Sequence, residues 1–260
     1  MTHDLIVIPT ADGECPAHVL APANGSGGPG IVFYFDAGGI RPPVLAMAQR
    51  LADAGYVVLL PDLFYRHGPY GPFVPAEVMA GDMMAILGPL IASTGNAKSA
   101  EDTDAFLAAL DARGDVHGKA IGTVGFCMGG PMAIAAAGTR PDRIRAVACF
   151  HGSGLATDAS DSPHLYASRL QAELYVALAT DDPHCPPGMA ARFERALGEA
   201  GVAYTAETYL AAHGWMKPDF PVHDEQQAER GWHAMTAFFE RTLKGSSSAD
   251  DTVALDQVTE

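Results

Sequence analysis

The sequence predicts an α/β fold, in which a mainly parallel sheet is covered by helices on both faces. Continuous apolar runs, such as residues 31–35 and Ile144–Phe150, are typical of strands that are buried on both sides. Segments of helical periodicity separate these runs, and such alternation favours parallel strands joined by helical crossovers. In addition, two apolar segments, 5–8 and 17–21, flank the turn-forming sequence ADGE and predict an N-terminal β-hairpin.

The remaining elements follow from apolar runs, helical spacing and turn residues. Short apolar runs that end at turn residues predict strands at 31–35, 57–60, 120–125, Ile144–Phe150, 174–179 and 204–210. Helical spacing predicts helices at 44–54, 100–112, 128–137, 189–200 and 223–243. The first of these ends at Gly55, a residue that readily terminates a helix. Residues 76–95 are apolar and rich in methionine, which predicts a helix broken near Gly88-Pro89.

The length and composition predict one domain. The 260 residues are 48% hydrophobic and 18% charged, which is sufficient for a large buried core. We expect this domain to span residues 1–244. Residues 245–260 open with the polar sequence GSSSADD and lack helical periodicity, so this acidic tail is predicted to be disordered.

Charge and cysteine content exclude several classes of protein. The formal net charge is −15, and four of the acidic residues lie in the last sixteen positions, which leaves −11 on residues 1–244. Such a charge disfavours nucleic acid and anionic membrane surfaces as partners. The four cysteines show no CxxC pair or zinc-finger spacing, so neither a disulfide framework nor a structural zinc site is predicted. No basic segment precedes an apolar run at the N-terminus, so no signal peptide is predicted there. A cytoplasmic protein is therefore predicted, and monomer and homodimer both remain open.

The sequence GFCMGG, residues 125–130, stands where a predicted strand turns into a helix. A nucleophile elbow requires small residues two positions before and after the nucleophile, because the sharp turn brings backbone segments close together. Cys127 occupies the nucleophile position, where a helix N-terminus favours thiolate and the next amide can donate to an oxyanion. For this motif taken alone, a buried structural cysteine is the alternative.

Two polar residues follow Cys127 in the chain order nucleophile, acid, base that α/β-hydrolases require. Asp182 lies just past strand 174–179, and His213 lies just past strand 204–210. Functional groups of parallel α/β sheets gather at such strand ends. Asp181 is the alternative to Asp182, and each residue could be an ordinary turn residue. Their joint placement favours a catalytic triad.

These motifs resemble those of the dienelactone hydrolases. The resemblance spans about residues 5–243 and rests on the elbow, on the Asp-x-x-x-Pro from Asp182 to Pro186, and on His213-Gly214-Trp215. It also includes the sequence PDLF after an early strand. The resemblance implies an α/β-hydrolase fold and a Cys-His-Asp triad that hydrolyses esters or lactones through a thioester acyl-enzyme. It implies neither a metal nor an organic cofactor.

The resemblance also assigns roles to single residues of the reaction centre. Cys127 would be the nucleophile, His213 the general base and acid, and Asp182 the residue that orients the imidazole. The backbone N–H groups of Met128 and Ala37 would form the oxyanion hole.

Four more residues acquire roles in the same way. Asp36 stands where the family has a glutamate that interacts with the resting thiol, and its side chain is one methylene shorter. Arg66 and Lys217 match two arginines that bind the substrate carboxylate, and Trp215 would border the substrate. Because lysine lacks the bidentate fork of arginine, Lys217 would hold a carboxylate differently or not at all.

Other polar residues near these motifs have simpler explanations. His184 and Cys185 lie in a proline-rich loop where nothing enforces metal-ligand geometry, so no metal site is predicted. His151 and Ser153 follow the strand Ile144–Phe150, where they either line a pocket or merely end the strand.

The sequence therefore predicts a hydrolase of the dienelactone type, whose partner is a small-molecule ester or lactone. One alternative is a general carboxylesterase or thioesterase of the same fold. Another is a catalytically silent hydrolase-fold binding protein. Candidate residues for all three triad roles favour the enzyme, because a pure binding protein has no physical need for them.

Overall fold

The structure, a computed structural model, describes residues 2–245 and contains an eight-stranded sheet of order β1-β2-β4-β3-β5-β6-β7-β8. Strands β3 to β8 are parallel to one another, whereas β1 and β2 are antiparallel additions at one edge. This arrangement confirms the predicted α/β fold with its N-terminal hairpin. The strands are β1 Thr2–Thr10, β2 Gly13–Ala21, β3 Gly30–Tyr34, β4 Val57–Pro61, β5 Ile121–Phe126, β6 Ile144–Phe150, β7 Glu173–Asp181 and β8 Tyr204–Ala212.

Helices cover both faces of this sheet. Every residue of β3, β4 and β5 is buried, which explains why these strands are apolar throughout. Helix α5 is buried almost along its whole length and packs against β5, β6 and α4. The helices are α1 Pro42–Asp53, α2 Pro75–Ala80, α3 Met83–Ala92, α4 Asn96–Asp111, α5 Gly129–Thr139, α6 Pro187–Glu199 and α7 Glu225–Phe239, with a 3₁₀ segment Pro163–Arg169 and a π-helical turn Glu240–Lys244.

The helix break predicted near Gly88-Pro89 is wrong. The break lies earlier, between α2 and α3, where Gly81 has extended backbone and the side chain of Asp82 caps α3 by accepting from the amide of Ala85. Pro89 lies inside α3 and removes one N–H donor from it. The capping carboxylate therefore decided where the new helix begins.

The N-terminal hairpin is longer than the apolar segments that predicted it. Residues Thr2–Thr10 pair with Gly13–Ala21 without interruption, and Gly13 has a φ of +135° at the turn. The exposed side chains of Leu5 and Val7 lie on β1, the edge strand.

The parallel strands place several loops along one edge of the sheet. The segments that follow β3, β5, β6, β7 and β8 all leave from the carboxyl ends of neighbouring strands, where α/β proteins hold their functional groups. Of the predicted tail, residues 246–260 lie outside the described residues. Between residues 2 and 245, no helix is long and apolar enough to cross a bilayer.

Candidate active site

Cys127 occupies the sharp turn between β5 and α5. Its φ is +55°, in the left-handed region that is unusual and strained for a cysteine. A Cβ on Gly125 would collide with the carbonyl group of Gly129, and a Cβ on Gly129 would collide with the carbonyl group of Tyr34 on β3. The two glycines thus permit the close backbone approach that the turn requires, and the turn places Cys127 at the N-terminus of α5.

The segment after β6 contacts Cys127 from another side. The N–H of Cys127 donates to the carbonyl of Phe150 at 3.1 Å and to Nδ1 of His151 at 3.2 Å. The N–H of Ser153 donates to the carbonyl of Cys127 at 3.2 Å, and its Oγ lies 3.5 Å from Sγ. The structure therefore places His151 and Ser153 beside the candidate nucleophile, whereas the sequence left open whether they merely end a strand.

His213, directly after β8, is held by Asp182. Nδ1 of His213 lies 2.9 Å from Oδ2 of Asp182. The other oxygen of this buried carboxylate accepts from the amides of His184 at 2.8 Å and Cys185 at 3.2 Å, so both oxygens are oriented. Asp181 contacts His213 only through its backbone carbonyl, which accepts the His213 N–H at 3.1 Å. Of the two neighbouring acids, Asp182 is the one whose carboxylate meets the imidazole.

Cys127 and His213 shift each other's pKa in opposite directions. Burial by itself raises the pKa of the Cys127 thiol, but the imidazole of His213 and the hydroxyl of Ser153 outweigh burial and lower it. Burial lowers the pKa of His213, but Asp182 and Cys127 outweigh burial and raise it to about 10. These shifts favour a thiolate–imidazolium pair in the free protein.

Two more imidazoles surround His213 and stay neutral. The ring centroid of His184 lies 4.6 Å from that of His213, and the centroid of His151 lies 5.1 Å away. Burial, together with the charge on His213, lowers the pKa of both neighbouring histidines. A neutral His151 can accept through Nδ1, as its contact with the Cys127 amide requires. Near neutral pH, these shifts favour a positive charge on His213 and neutral rings on its two neighbours.

The predicted oxyanion donors lie in two segments that touch. Gly129 packs against backbone carbonyl groups at the end of β3, which brings the loop containing Ala37 against the elbow containing Met128. The carboxylate of Asp36 shapes this loop by accepting from the N–H of Gly38 at 2.8 Å. Among residues 2–245, no hydrogen bond occupies the amide of Ala37 or of Met128. Both amides are thus available to an oxyanion.

Asp36 belongs to a buried ion cluster. Its carboxylate accepts from Arg41 at 3.0 and 3.2 Å, and Nζ of Lys217 lies 2.5 Å from it. Arg41 also pairs with Asp219 at 2.6 Å. Burial raises the pKa of Asp36, but the two cations outweigh burial and hold this pKa well below its usual range. The structure does not show the predicted contact between Asp36 and the resting thiol, because Arg41 and Lys217 occupy the carboxylate.

The three residues predicted to bind substrate have other surroundings. Arg66 forms a bidentate ion pair with Asp102 on α4, at 2.8 and 2.9 Å, and its Nε donates to Asp12 in the hairpin turn at 2.6 Å. Lys217 and Trp215 are both 0% exposed. The structure therefore does not support direct substrate contacts from these residues, because the fork of Arg66 is occupied and the other two side chains are enclosed.

No motif pointed to Arg41, which the structure places beside the site. A signal was nevertheless present, since Asp36 and Arg41 are the only Asp, Glu, Lys or Arg residues between positions 31 and 49. Isolated opposite charges in an apolar segment are expected to pair when the segment is buried. That expectation identifies Arg41 as the partner of Asp36.

The elbow after β5, together with an acid and an imidazole after later strands of a parallel sheet, defines an α/β-hydrolase. The profile of the dienelactone hydrolase family matches residues 16–243. The chain belongs to this family, which makes it a hydrolase of ester or lactone bonds that acts on a small molecule.

Relatives and solved structures agree with this assignment. A Synechocystis protein named "Putative carboxymethylenebutenolidase" is 23% identical over 92% of this chain and 97% of its own length. A Saccharomyces cerevisiae protein of the same name is 28% identical over 74% of this chain and 71% of its own. The crystal structure of a "Putative Dienelactone Hydrolase" from Klebsiella pneumoniae superposes with a TM-score of 0.79 at 22% identity, covering 92% of this chain and 98% of that one. A dienelactone hydrolase-like promiscuous phosphotriesterase from metagenomic libraries gives 0.73 at 25% identity, covering 94% and 100%.

Proposed function

We propose that Cys127, His213 and Asp182 form a catalytic triad that cleaves a small neutral ester or lactone through a thioester acyl-enzyme. One observation carries the proposal: a cysteine in strained left-handed backbone at a helix N-terminus lies in one cluster with an imidazole that a buried carboxylate orients. A structural cysteine requires neither the strain nor the imidazole. The same arrangement favours an enzyme over the catalytically silent binding protein.

Acylation uses the thiolate–imidazolium pair that the free protein favours. Sγ of Cys127 attacks the carbonyl carbon, a C–S bond forms, and the carbonyl oxygen becomes an oxyanion. The amides of Ala37 and Met128 are placed to donate to that oxyanion. When the intermediate collapses, the C–O bond breaks and the His213 imidazolium gives its proton to the leaving alkoxide.

Deacylation returns the protein to its starting state. His213, now neutral, takes a proton from water as the water oxygen attacks the thioester carbonyl. The C–S bond then breaks, and Cys127 leaves as thiolate beside the new imidazolium. The products are a carboxylic acid and an alcohol, which for a lactone are the two ends of one hydroxy acid. Throughout this cycle, Asp182 keeps Nδ1 of His213 protonated and Nε2 facing the reaction.

The charges around the site support a neutral substrate. The relatives' name, carboxymethylenebutenolidase, specifies a substrate with a carboxylate group. In this chain, the two cations that correspond to a carboxylate clamp are occupied, Arg66 by Asp102 and Lys217 by Asp36. Residues 1–244 also carry a net charge of −11, which repels anions. A carboxylate on the substrate would therefore lack a free partner at both positions.

The test is to trap the acyl group on Cys127. An activated neutral ester such as p-nitrophenyl acetate is mixed with the protein, quenched in acid and analysed by peptide mass spectrometry. We expect one acetyl group on the peptide that contains Cys127, and we expect Cys127→Ala to lose about 10⁴–10⁶ in kcat. Cys15→Ala is the matched control, because Cys15 lies on β2. Wild-type turnover in Cys127→Ala would refute the proposed function.

A further inference from the structure

We propose that the hydroxyl of Ser153 donates a hydrogen bond to the Cys127 thiolate in the free enzyme, so that a fourth side chain acts on the nucleophile. This inference rests on the proposed function of Cys127 and assigns a role to a residue outside the triad. The juxtaposition that carries it is the 3.5 Å separation between Oγ of Ser153 and Sγ of Cys127.

Cys127 is the one hydrogen-bond partner of this hydroxyl among the residues that the structure describes. Sulfur is larger than oxygen, so a hydrogen bond to sulfur is longer than one to oxygen, and 3.5 Å is within its range. A thiolate can only accept hydrogen bonds, whereas a serine hydroxyl can rotate to donate one. Once the thiol is ionised, the proton in this contact must therefore come from Ser153. A hydrogen bond to an ionised acceptor is stronger than a neutral one.

The backbone fixes the position of this hydroxyl. The Ser153 N–H donates to the Cys127 carbonyl at 3.2 Å, while the Cys127 N–H donates to the Phe150 carbonyl at 3.1 Å. His151, between Phe150 and Ser153, has a φ of +38°, which redirects the chain at the end of β6. A Cβ on Gly152 would lie 2.5 Å from Sγ of Cys149, so the segment also packs tightly against the end of β6. Ser153 is held against the elbow by these contacts.

The surroundings of the thiol explain why a further donor has an effect. Burial and the negative charge of Asp36 both raise the pKa of Cys127, and the groups that lower it are His213 and Ser153. The charge of Asp36 is itself offset by Arg41 and Lys217. Without the hydroxyl, the thiolate would depend on His213 and on its position at the N-terminus of α5.

The test measures the pH dependence of Cys127 alkylation, which reports the thiolate without any substrate. Iodoacetamide is the probe, and peptide mass spectrometry reads modification at Cys127. In Ser153→Ala we expect the midpoint of the alkylation rate against pH to rise by about one pH unit. At any pH below that midpoint, alkylation of Cys127 should then be about tenfold slower. The acid limb of the kcat/KM profile should move in the same direction, whereas a residue with a merely structural role would leave both midpoints in place. Ser93→Ala is the matched control, since the Ser93 hydroxyl donates to Leu90 at the end of α3.

A second pair of variants separates the effect of the hydroxyl from the effect of side-chain shape. Ser153→Thr and Ser153→Val introduce side chains of the same shape, of which only the first keeps the hydroxyl. We expect Ser153→Thr to keep the wild-type midpoint and Ser153→Val to show the raised one, even if Ser153→Ala folds poorly. Equal midpoints in this pair would overturn the inference. Failure of the proposed function is distinguishable, because it would appear as full turnover in Cys127→Ala whatever the alkylation midpoints are.

Discussion

Nδ1 of His213 lies 2.9 Å from Oδ2 of Asp182, while the adjacent Asp181 reaches His213 only through a backbone carbonyl. The side chain of Asp182 is 2% exposed, and two loop amides hold its other oxygen. A carboxylate fixed in this way sets the tautomer of the imidazole and stabilises its positive charge. Two chemically identical neighbours thus differ in their contacts, because at this strand end only the carboxylate of Asp182 turns inward to the imidazole.

The first prediction compares these two acids. Asp182→Asn should lower kcat/KM by about 10⁴-fold, because the amide favours the wrong tautomer of His213. Asp181→Asn is the matched control and should have a small effect, since its side chain is not the one paired with His213. Steady-state kinetics on one neutral ester would decide between them. If Asp181→Asn were the more damaging change, the triad assignment would move to Asp181.

The second prediction concerns pH. The pKa of the Cys127 thiol is lowered, so thiolate should persist below the usual cysteine pKa of about 8.5. The pKa of His213 is raised to about 10, so the imidazolium should persist up to that pH. We therefore expect kcat/KM to be high at pH values between the pKa of Cys127 and the pKa of His213. It should fall on the acid side as the thiolate is protonated, and it should fall near pH 10 as the imidazolium is lost.

A histidine variant tests the origin of the acid limb. His213→Gln removes the imidazolium, so the alkylation midpoint of Cys127 should move to higher pH. His233→Gln, at an exposed position on α7, is the matched control and should leave the midpoint in place. An unchanged midpoint in His213→Gln would show that the imidazole does not activate the thiol.

The third prediction concerns the buried ion cluster. Asp36→Asn leaves Arg41 and Lys217 without their shared carboxylate, which should cost about 3–5 kcal/mol in the free energy of unfolding. Glu229→Gln breaks the exposed pair with Arg50 and should cost only about 0–1 kcal/mol. Urea unfolding at neutral pH measures both variants. Equal costs would mean that the buried pairs contribute no more than a surface pair.

The same cluster predicts a pH dependence of stability. Because the folded-state pKa of Asp36 is lowered, its contribution is present above the unfolded value of about 3.9 and is lost as the pH falls further. The difference in unfolding free energy between wild type and Asp36→Asn should therefore be constant near neutral pH and shrink below about pH 4. A difference that grew on acidification would contradict this sign.

The fourth prediction concerns substrate charge. Arg66→Ala should change KM equally for a carboxylate-bearing ester and for its methyl ester, because the guanidinium is occupied by Asp102 and Asp12. A direct charge-assisted contact of about 1.5–3 kcal/mol would instead weaken the anionic substrate by about 10- to 150-fold. Arg192→Ala, which removes an exposed arginine paired with Asp158, is the matched control. Selective loss for the anionic ester would restore Arg66 as a carboxylate-binding residue.

The sequence by itself determined the fold class and the positions of the triad candidates. Local chemistry was sufficient for this: a continuous apolar run marks a buried strand, glycines two positions on either side of Cys127 mark an elbow, and Asp182 and His213 follow strands in the required order. The hairpin, the parallel strands and most helices were predictable for the same reason. The break before α3 was missed because an isolated capping carboxylate, Asp82, is a weaker signal than a proline.

Only the tertiary structure decided which charges meet. Arg66, Lys217 and Asp36 matched positions along the chain, but a charged side chain pairs with what lies near it in space, and those neighbours come from distant segments. Lys217 meets Asp36 across 181 positions of sequence, and Arg66 meets Asp102 on a helix that no motif connects to it. Ser153 likewise reaches Cys127 because β6 lies beside β5 in the sheet. Spacing along the chain carries no record of such long-range contacts, whereas burial forces each charge to find a partner once the chain has folded.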